Sequence, residues 1–346
     1  MEDTLLKNIS AFYGWNQPLK ISTIGSGLIN HTWKITHGSE TYILQQINKS
    51  IFKIPEDIDT NISLLSAYFS VKYPEYLFTS PVKGMNGKTI IQLDGEYYRS
   101  FPFINRSHTI DVVENPEQAY EAAFQFGKFI SLLDKFDASH LKITLPHFHD
   151  LGLRFEQLQD AIKNGNPERI AEVGAEIDFL QSEKAIVYKW KQFVQHTDAK
   201  QRVTHHDTKI SNVLFDADNK GLCVIDLDTI MPGYFISDVG DMMRTYLSPV
   251  SEEEADLDKI IVRKDFLIAI RNGFMQAVSD ILSPFEKDHF FFSGEVLIYM
   301  QSIRFLADYI NNDVYYGRKY EKHNLVRARN QIRLLQEYQK AITSVQ

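Results

Sequence analysis

THHDTKISNVLF (residues 204–215) sets two histidines, an aspartate, a lysine and an asparagine ahead of an apolar run. The stretch reads as a metal-binding cluster, a catalytic loop or a polar turn, and each reading predicts a different protein. Asp207 and Asn212 stand five residues apart, and a second aspartate, Asp226, follows in LCVIDLD (222–228). Between them VLF, the turn residues DADNKG and LCVID read as a small hairpin. That hairpin returns the chain so that Asp226 comes back toward Asn212.

Outward from this block the chain changes character. Upstream it is β-rich. ISTIGSGLIN (21–30) leads into HTWKITHGSETYILQQIN (31–48), with His37-Gly38-Ser39 as the break of a hairpin. Pro55 opens a helix to about Ser70, with Ile58, Ile62, Leu65 and Phe69 at helical spacing. Asn86-Gly87 and Asp94-Gly95 then divide three strands near 78–84, 88–93 and 96–103. The sum is about five antiparallel strands with one helix inserted after the third. From Pro116 the pattern becomes helical, beginning with the apolar face Ala119, Ala122, Ala123, Phe126, Ile130 and Leu133. Further helices are expected near 151–163, 167–196, 238–247, 252–282, 285–312 and 321–343. The fold class is therefore α+β. A small antiparallel N-lobe (1–104) precedes a larger helical C-lobe (105–346) with one embedded hairpin, in the two-lobed, protein-kinase-like order.

Bulk properties narrow the function. The 346 residues suffice for one large domain or two lobes. A net charge of -8 argues against nucleic acid or an anionic membrane as the main partner. One cysteine, Cys223, excludes an internal disulfide and thiolate-rich zinc sites. MEDTLLKNIS has no signal-peptide core, and no apolar run reaches the ~18 residues of a membrane span. The expectation is a cytoplasmic protein of reducing surroundings.

The pattern H-x-D-x-x-x-x-N, then a hairpin, then I-D, is the arrangement that kinases use for phosphoryl transfer. One carboxylate accepts the proton of the attacking hydroxyl. An amide oxygen and a second carboxylate hold Mg²⁺, which takes hard oxygen ligands and keeps several waters. On that chemistry Asp207 is the base, Asn212 and Asp226 are metal ligands, and Lys209 stabilises charge beside the transferred phosphoryl group. His205 reads as structural. HFHD (147–150) and HHD admit zinc, but there is no HExxH and zinc leaves Asn212 unused. The two glycines of IGSGLIN form a turn that, in a kinase, covers the ATP phosphates with backbone N–H groups.

The combination GSGLINHTW, HHDTKISNVLF, VIDLDTIMPG and SDVGDMMR resembles the aminoglycoside phosphotransferase and choline kinase superfamily. YILQQINKSIF (42–52), LPHFHDLGLRFE (145–156), IRFLADYINNDVYY (303–316) and HNLVRARNQ (323–331) look closest to its N-acetylhexosamine 1-kinase branch, which phosphorylates an anomeric hydroxyl. The resemblance runs through nearly the whole chain. It implies ATP and Mg²⁺ as cofactors and a sugar acceptor. By position it makes Gly25, Ser26, Gly27 and Asn30 the nucleotide loop, Asp207 the base, Asn212 and Asp226 the magnesium ligands, and Asp228 a nearby second acidic group counted with the metal residues. Asp238 and Asp241 begin the following helix and are expected to be structural. The usual phosphate-pairing lysine of the third strand is missing; Gln45 and Gln46 stand there.

A sugar needs several hydrogen bonds and an aromatic surface. The branch-like stretches offer His147, His149 and Arg154, then Arg304 with Tyr315 and Tyr316. The ordinary alternative for Arg304 is a surface pair with Asp308. Two further functions compete with a sugar 1-kinase: a kinase for another sugar, amino alcohol or aminoglycoside, and a non-catalytic nucleotide-binding protein.

Overall fold

The computed structural model describes residues 3–16, 19–24 and 29–344. The fold is protein-kinase-like, with an antiparallel sheet in one compact unit and packed helices in the other. The first unit comprises Met1–His108, Phe136–Pro146 and Leu214–Pro232; the second comprises Thr109–Lys135, His147–Val213 and Gly233–Gln346. The first unit thus takes two later segments besides the N-terminal stretch.

In the first unit, β1 (Leu19–Thr23), β2 (His31–His37), β3 (Glu40–Ile47), β4 (Ile90–Leu93) and β5 (Glu96–Pro102) form one antiparallel sheet in the order β1-β2-β3-β5-β4. The Asp94-Gly95 turn between β4 and β5 has φ values of 51° and 78°, as a tight two-residue hairpin requires. It pairs Leu93 with Glu96 and sets Arg99 opposite Ile90. On its other side Arg99 lies opposite Gln45 of β3. The helix expected after β3 is α2 (Pro55–Lys72), burying Ile58, Ile62, Leu65 and Phe69. Residues 78–84 are not a strand. Pro81 has no N–H to give a ladder, and the segment makes only isolated bonds such as Val82 N to the Ser100 carbonyl at 2.6 Å.

The helix α1 (Asp3–Tyr13) went unforeseen; its Ile9 and Tyr13 join Trp15, Ile35, Leu44 and Tyr98 in the core beside the sheet. Asn61 of α2 ties the later segments in. Its amide donates to the carbonyls of Lys142 and Ile230, both at 2.9 Å, and accepts from Lys142 N–H at 2.7 Å. The expected hairpin is present as β7 (Val213–Phe215) and β8 (Gly221–Val224). Cys223 is buried in it without a disulfide, and burial pushes its thiol up to about 12.

In the second unit, α3 (Pro116–Leu132) buries the predicted alanine-rich face. It packs on α9 (Lys264–Val278), with a close backbone approach at Gly273. A Cβ on Gly273 would stand 2.2 Å from the Tyr120 carbonyl oxygen, so only glycine fits there. Three long helices expected from periodicity are broken or shorter. The 167–196 stretch is α5 (Pro167–Glu172), α6 (Gly174–Ser182) and α7 (Ala185–Gln195), following α4 (Leu151–Asn164). Val173 and Glu183 close α5 and α6 as C-caps. The helix expected from 252 begins only at Lys264. Before it, Asp256 and Glu254 accept from nearby backbone N–H groups and favour turns. The last is α10 (Pro284–Asp288), capped by a Ser283–Glu286 box, and α11 (Phe292–Ile310), followed by α12 (His323–Thr343). No described helix is long and apolar enough to cross a membrane.

Candidate active site

The candidate stretch, residues 204–215, begins at the end of β6 (Arg202–Thr204) and precedes α8 (Phe235–Tyr246) in the order of the chain, and its start is held by that helix. Asp238, in the first turn of α8 and fully buried, accepts from His205 N–H at 3.0 Å and His206 N–H at 2.7 Å. Asp241, one turn on, accepts from Thr208 N–H at 2.8 Å. These carboxylates act as backbone clamps, as expected for structural groups. Burial pushes the Asp238 carboxyl up to about 7, against the pull of the two amides. Asp241 is held in turn by Arg244 at 2.9 Å, Arg244 by Glu252 at 2.8 Å, and Glu252 by Arg327. Sequence reasoning missed this chain because its members lie on three separated segments.

His205 is fully buried, its ring set edge-on to Phe126 at 5.1 Å. His206 takes φ +67°, which turns the chain sharply before Asp207. Its ring lies so close to Gly233 that a Cβ there would stand 2.4 Å from Nε2. Asp207 is therefore presented by a loop whose flanking residues are fixed on both sides.

The Asp207 carboxylate is partly exposed and meets Lys209 Nζ at 3.0 Å through Oδ1 and 3.2 Å through Oδ2. Burial opposes its charge, but Lys209, His205 and Arg244 outweigh burial and hold the carboxyl below its ordinary value. It is an ionised acceptor at neutral pH. Asn212 donates its side-chain N–H to the Asp207 carbonyl at 2.9 Å, which fixes the amide plane. That leaves the amide oxygen as the end able to meet a hard cation.

The other acidic residues belong to the first unit. Asp226 sits just past β8 in the left-handed region (φ 58°, ψ 63°), which Asp and Asn tolerate better than other side chains. Asp228 is buried. One oxygen accepts from Arg99 Nη2 and the other from Asn30 Nδ2 at 2.8 Å. Asn30 also accepts from Asn48 N–H at 3.0 Å. Gly25, Ser26 and Gly27 lie outside the described residues. Among the described residues no cluster of three His, Cys, Asp or Glu side chains forms a metal site. Asn212 in the second unit and Asp226 in the first each offer a hard oxygen donor, the type that suits Mg²⁺ and not a soft metal.

The proposed acceptor residues divide. Arg154 and Arg304 line one cavity of about 460 Å³ with Tyr315, Tyr316, Asp160 and Asp308. Burial and the Arg304 charge hold Arg154 below its ordinary value. Arg304 meets Gln301 Oε1 at 3.2 Å and Tyr315 Oη at 3.4 Å, not Asp308. Asp308 instead accepts from the backbone N–H groups of Tyr315 at 2.7 Å and Tyr316 at 3.0 Å, fixing the two rings. His147 is exposed and pairs with Asp150, the N-cap of α4.

His149 is half-buried, stacks on Phe148 at 4.4 Å and lies 5.5 Å from the His206 ring. Neither histidine lines the cavity. Burial, His206 and Arg304 hold His149 well below 6.5, so it is neutral, and its Nδ1 has no hydrogen-bond partner among the described residues. Unfolding frees a ring that takes a proton below pH 6.5, which the folded ring refuses. Stability therefore falls as pH drops below that value, by up to about 1.4 kcal/mol per unit. His149→Phe removes this slope, as chemical denaturation from pH 7 to 5 will test.

The model of the phosphotransferase enzyme family matches residues 20–260. Among solved structures, a microcompartment-associated aminopropanol kinase superposes with a TM-score of 0.66 at 13% identity, covering 99% of this chain and 98% of that one. Spectinomycin phosphotransferase, in complex with ADP and spectinomycin, gives 0.62 at 12% identity over 99% and 98%. Choline kinase from Cryptosporidium parvum gives 0.57 at 13% identity over 99% and 97%. At such identities the likeness concerns the fold alone, whereas the family model spans well over half of the sequence and includes all of residues 204–215. The chain belongs to the phosphotransferase enzyme family.

Proposed function

We propose that the protein is an ATP- and Mg²⁺-dependent sugar kinase that phosphorylates the anomeric hydroxyl of an N-acetylhexosamine. The observation that carries the phosphotransfer reading is the Asp207 loop: an ionised carboxylate, fixed through its backbone, with Lys209 against both oxygens. The acceptor hydroxyl gives its proton to Asp207 as its oxygen bonds to the γ-phosphorus. The bond from that phosphorus to the bridging oxygen breaks, and ADP leaves with the electron pair. Lys209 keeps Asp207 ionised and offsets negative charge at the reacting end. Asn212 and Asp226 would hold Mg²⁺, which neutralises phosphate charge when bound. Asp226→Asn keeps a side chain tolerant of the left-handed backbone but removes the charge. It weakens Mg·ATP binding by roughly tenfold or more, as calorimetry with and without Mg²⁺ will measure.

An anomeric hydroxyl is more acidic than other sugar hydroxyls, so a carboxylate suffices as its base. The cavity supports an uncharged polyol as acceptor. Its two arginines face three carboxylates, Glu156, Asp160 and Asp308, so the lining carries no positive surplus that would call for an anionic acceptor, and two tyrosine rings offer a surface for a sugar face. The relatives named for aminopropanol, choline and spectinomycin make an amine-bearing acceptor the second reading. ADP release with a panel of N-acetylglucosamine, N-acetylgalactosamine, glucose, galactose, choline and kanamycin separates them. The N-acetylhexosamines give the highest kcat/KM if the proposal holds; choline or kanamycin leading the panel contradicts it. Arg304→Ala raises the acceptor KM by about tenfold or more, without changing that of ATP.

A further inference from the structure

The strand position that carries a phosphate-pairing lysine in many kinases is occupied here by an amide. Gln45 stands in YILQQIN on β3, and its own side chain is neutral. The neighbouring strand supplies a cation at the same level. Arg99 of β5 lies opposite Gln45 in the ladder. Its Nε and Nη2 both donate to Gln45 Oε1, at 3.2 and 2.9 Å, and Nη2 also donates to Asp228. The residue is 1% exposed, yet Nη1 has no hydrogen-bond partner among the described residues.

A buried guanidinium with one unmet nitrogen is costly unless something else satisfies it. The surrounding chain explains what that something is. Asp228 stands two residues after Asp226 and also accepts from Asn30, the last residue of the glycine loop GSGLIN. Arg99 is thus anchored to the strand where the lysine is absent, to the segment that carries Asp226, and through it to the end of the glycine loop. All of these residues belong to the first unit. A guanidinium presents a planar fork that suits phosphate oxygens as well as an ammonium does.

We infer that Arg99 is the phosphate-binding cation of this chain, delivered from β5 in place of the β3 lysine, with Gln45 and Asp228 as its positioning residues and Nη1 left to a nucleotide phosphate oxygen. The inference rests on the kinase reading above and names a residue that reading leaves unassigned. The same assignment explains why Gln45 is tolerated: a lysine there would face Arg99 as a like charge.

The test compares ATP with adenosine, which shares the base and ribose but lacks the phosphates. Calorimetry on the wild-type chain, with Mg²⁺ present, gives the ratio of the two affinities. Arg99→Met lowers ATP affinity by roughly 10–100-fold, the size of a lost charge-assisted hydrogen bond, and leaves adenosine affinity unchanged. Arg99→Gln can still bond Gln45 and serves where the methionine variant does not fold; it gives the same collapse of the ratio. Adding Gln45→Lys to either variant returns a cation to β3 and restores most of the ratio. Parallel weakening of ATP and adenosine, or an unchanged ratio, overturns the role of Arg99 while leaving the kinase reading intact. A wild-type chain that does not prefer ATP over adenosine overturns both.

Discussion

Asp207→Asn abolishes phosphate transfer, lowering kcat by roughly 10²–10⁴-fold, and leaves Mg·ATP binding unchanged. The substitution keeps the size and shape of the side chain and removes only the ability to take up a proton. The loop should survive, because its backbone is held by Asp238 and Asp241 and not by the Asp207 carboxylate. Asn212 bonds the Asp207 carbonyl, which the substitution does not touch. The change also releases Lys209 from its ion pair, so some lost activity will reflect a displaced ammonium. A Lys209→Met control measures that share. Rapid-quench transfer paired with calorimetric ATP binding checks the result. Near-normal transfer by Asp207→Asn would remove the base assignment and with it the mechanism.

Asp238→Ala destabilises the fold by about 2–6 kcal/mol, since it leaves two buried backbone N–H groups without acceptors at about 1–3 kcal/mol each. The same loss frees His206, whose left-handed backbone needs that anchor, so Asp207 is no longer presented in one place. Activity falls even under conditions where the variant remains folded. Asp238→Asn retains one amide oxygen as acceptor and should lose about half as much stability. Because burial raises the Asp238 carboxyl to about 7, its folded form binds the proton more tightly than the unfolded chain. Its contribution to stability is thus largest at low pH and declines as pH rises from about 4 to 7. This opposes the His149 slope, and the two separate only in the single variants. Urea titrations of wild type, Asp238→Ala and Asp238→Asn give the magnitudes. Equal stability of all three would show that the amides find other partners.

The parts of the fold read from sequence are those whose signal is local. Asp94-Gly95 specified a hairpin because its two left-handed positions suit those residues. The α3 face was legible because its alanines, Phe126 and Ile130 repeat at helical spacing. Where a turn interrupts a periodic run, as at Val173 and at His289, the hydrophobic pattern continues through the break and conceals it. Residues 78–84 carried β-like composition, but one proline removed the donor that a ladder needs.

The candidate catalytic stretch stood out in the sequence for a different reason: phosphoryl transfer constrains residue types at fixed spacing within a short segment. The supports of that stretch did not. Asp241, Arg244, Glu252 and Arg327 form a relay only through folding. Arg99 left one trace, a cation inside the aromatic strand EYYRSFPF, but its partners Gln45 and Asp228 lie 54 and 129 positions away. The acceptor side shows the same limit. Arg154 and Arg304 meet at one cavity, whereas His147, only seven residues before Arg154, faces solvent.

The most direct measurement is phosphorus NMR of the product formed from Mg·ATP and N-acetylglucosamine or N-acetylgalactosamine. The account predicts a sugar phosphate whose phosphorus couples to the anomeric proton, formed by the wild-type chain and not by Asp207→Asn. A phosphate on any other hydroxyl, or no sugar phosphate while choline or kanamycin is phosphorylated, would contradict it.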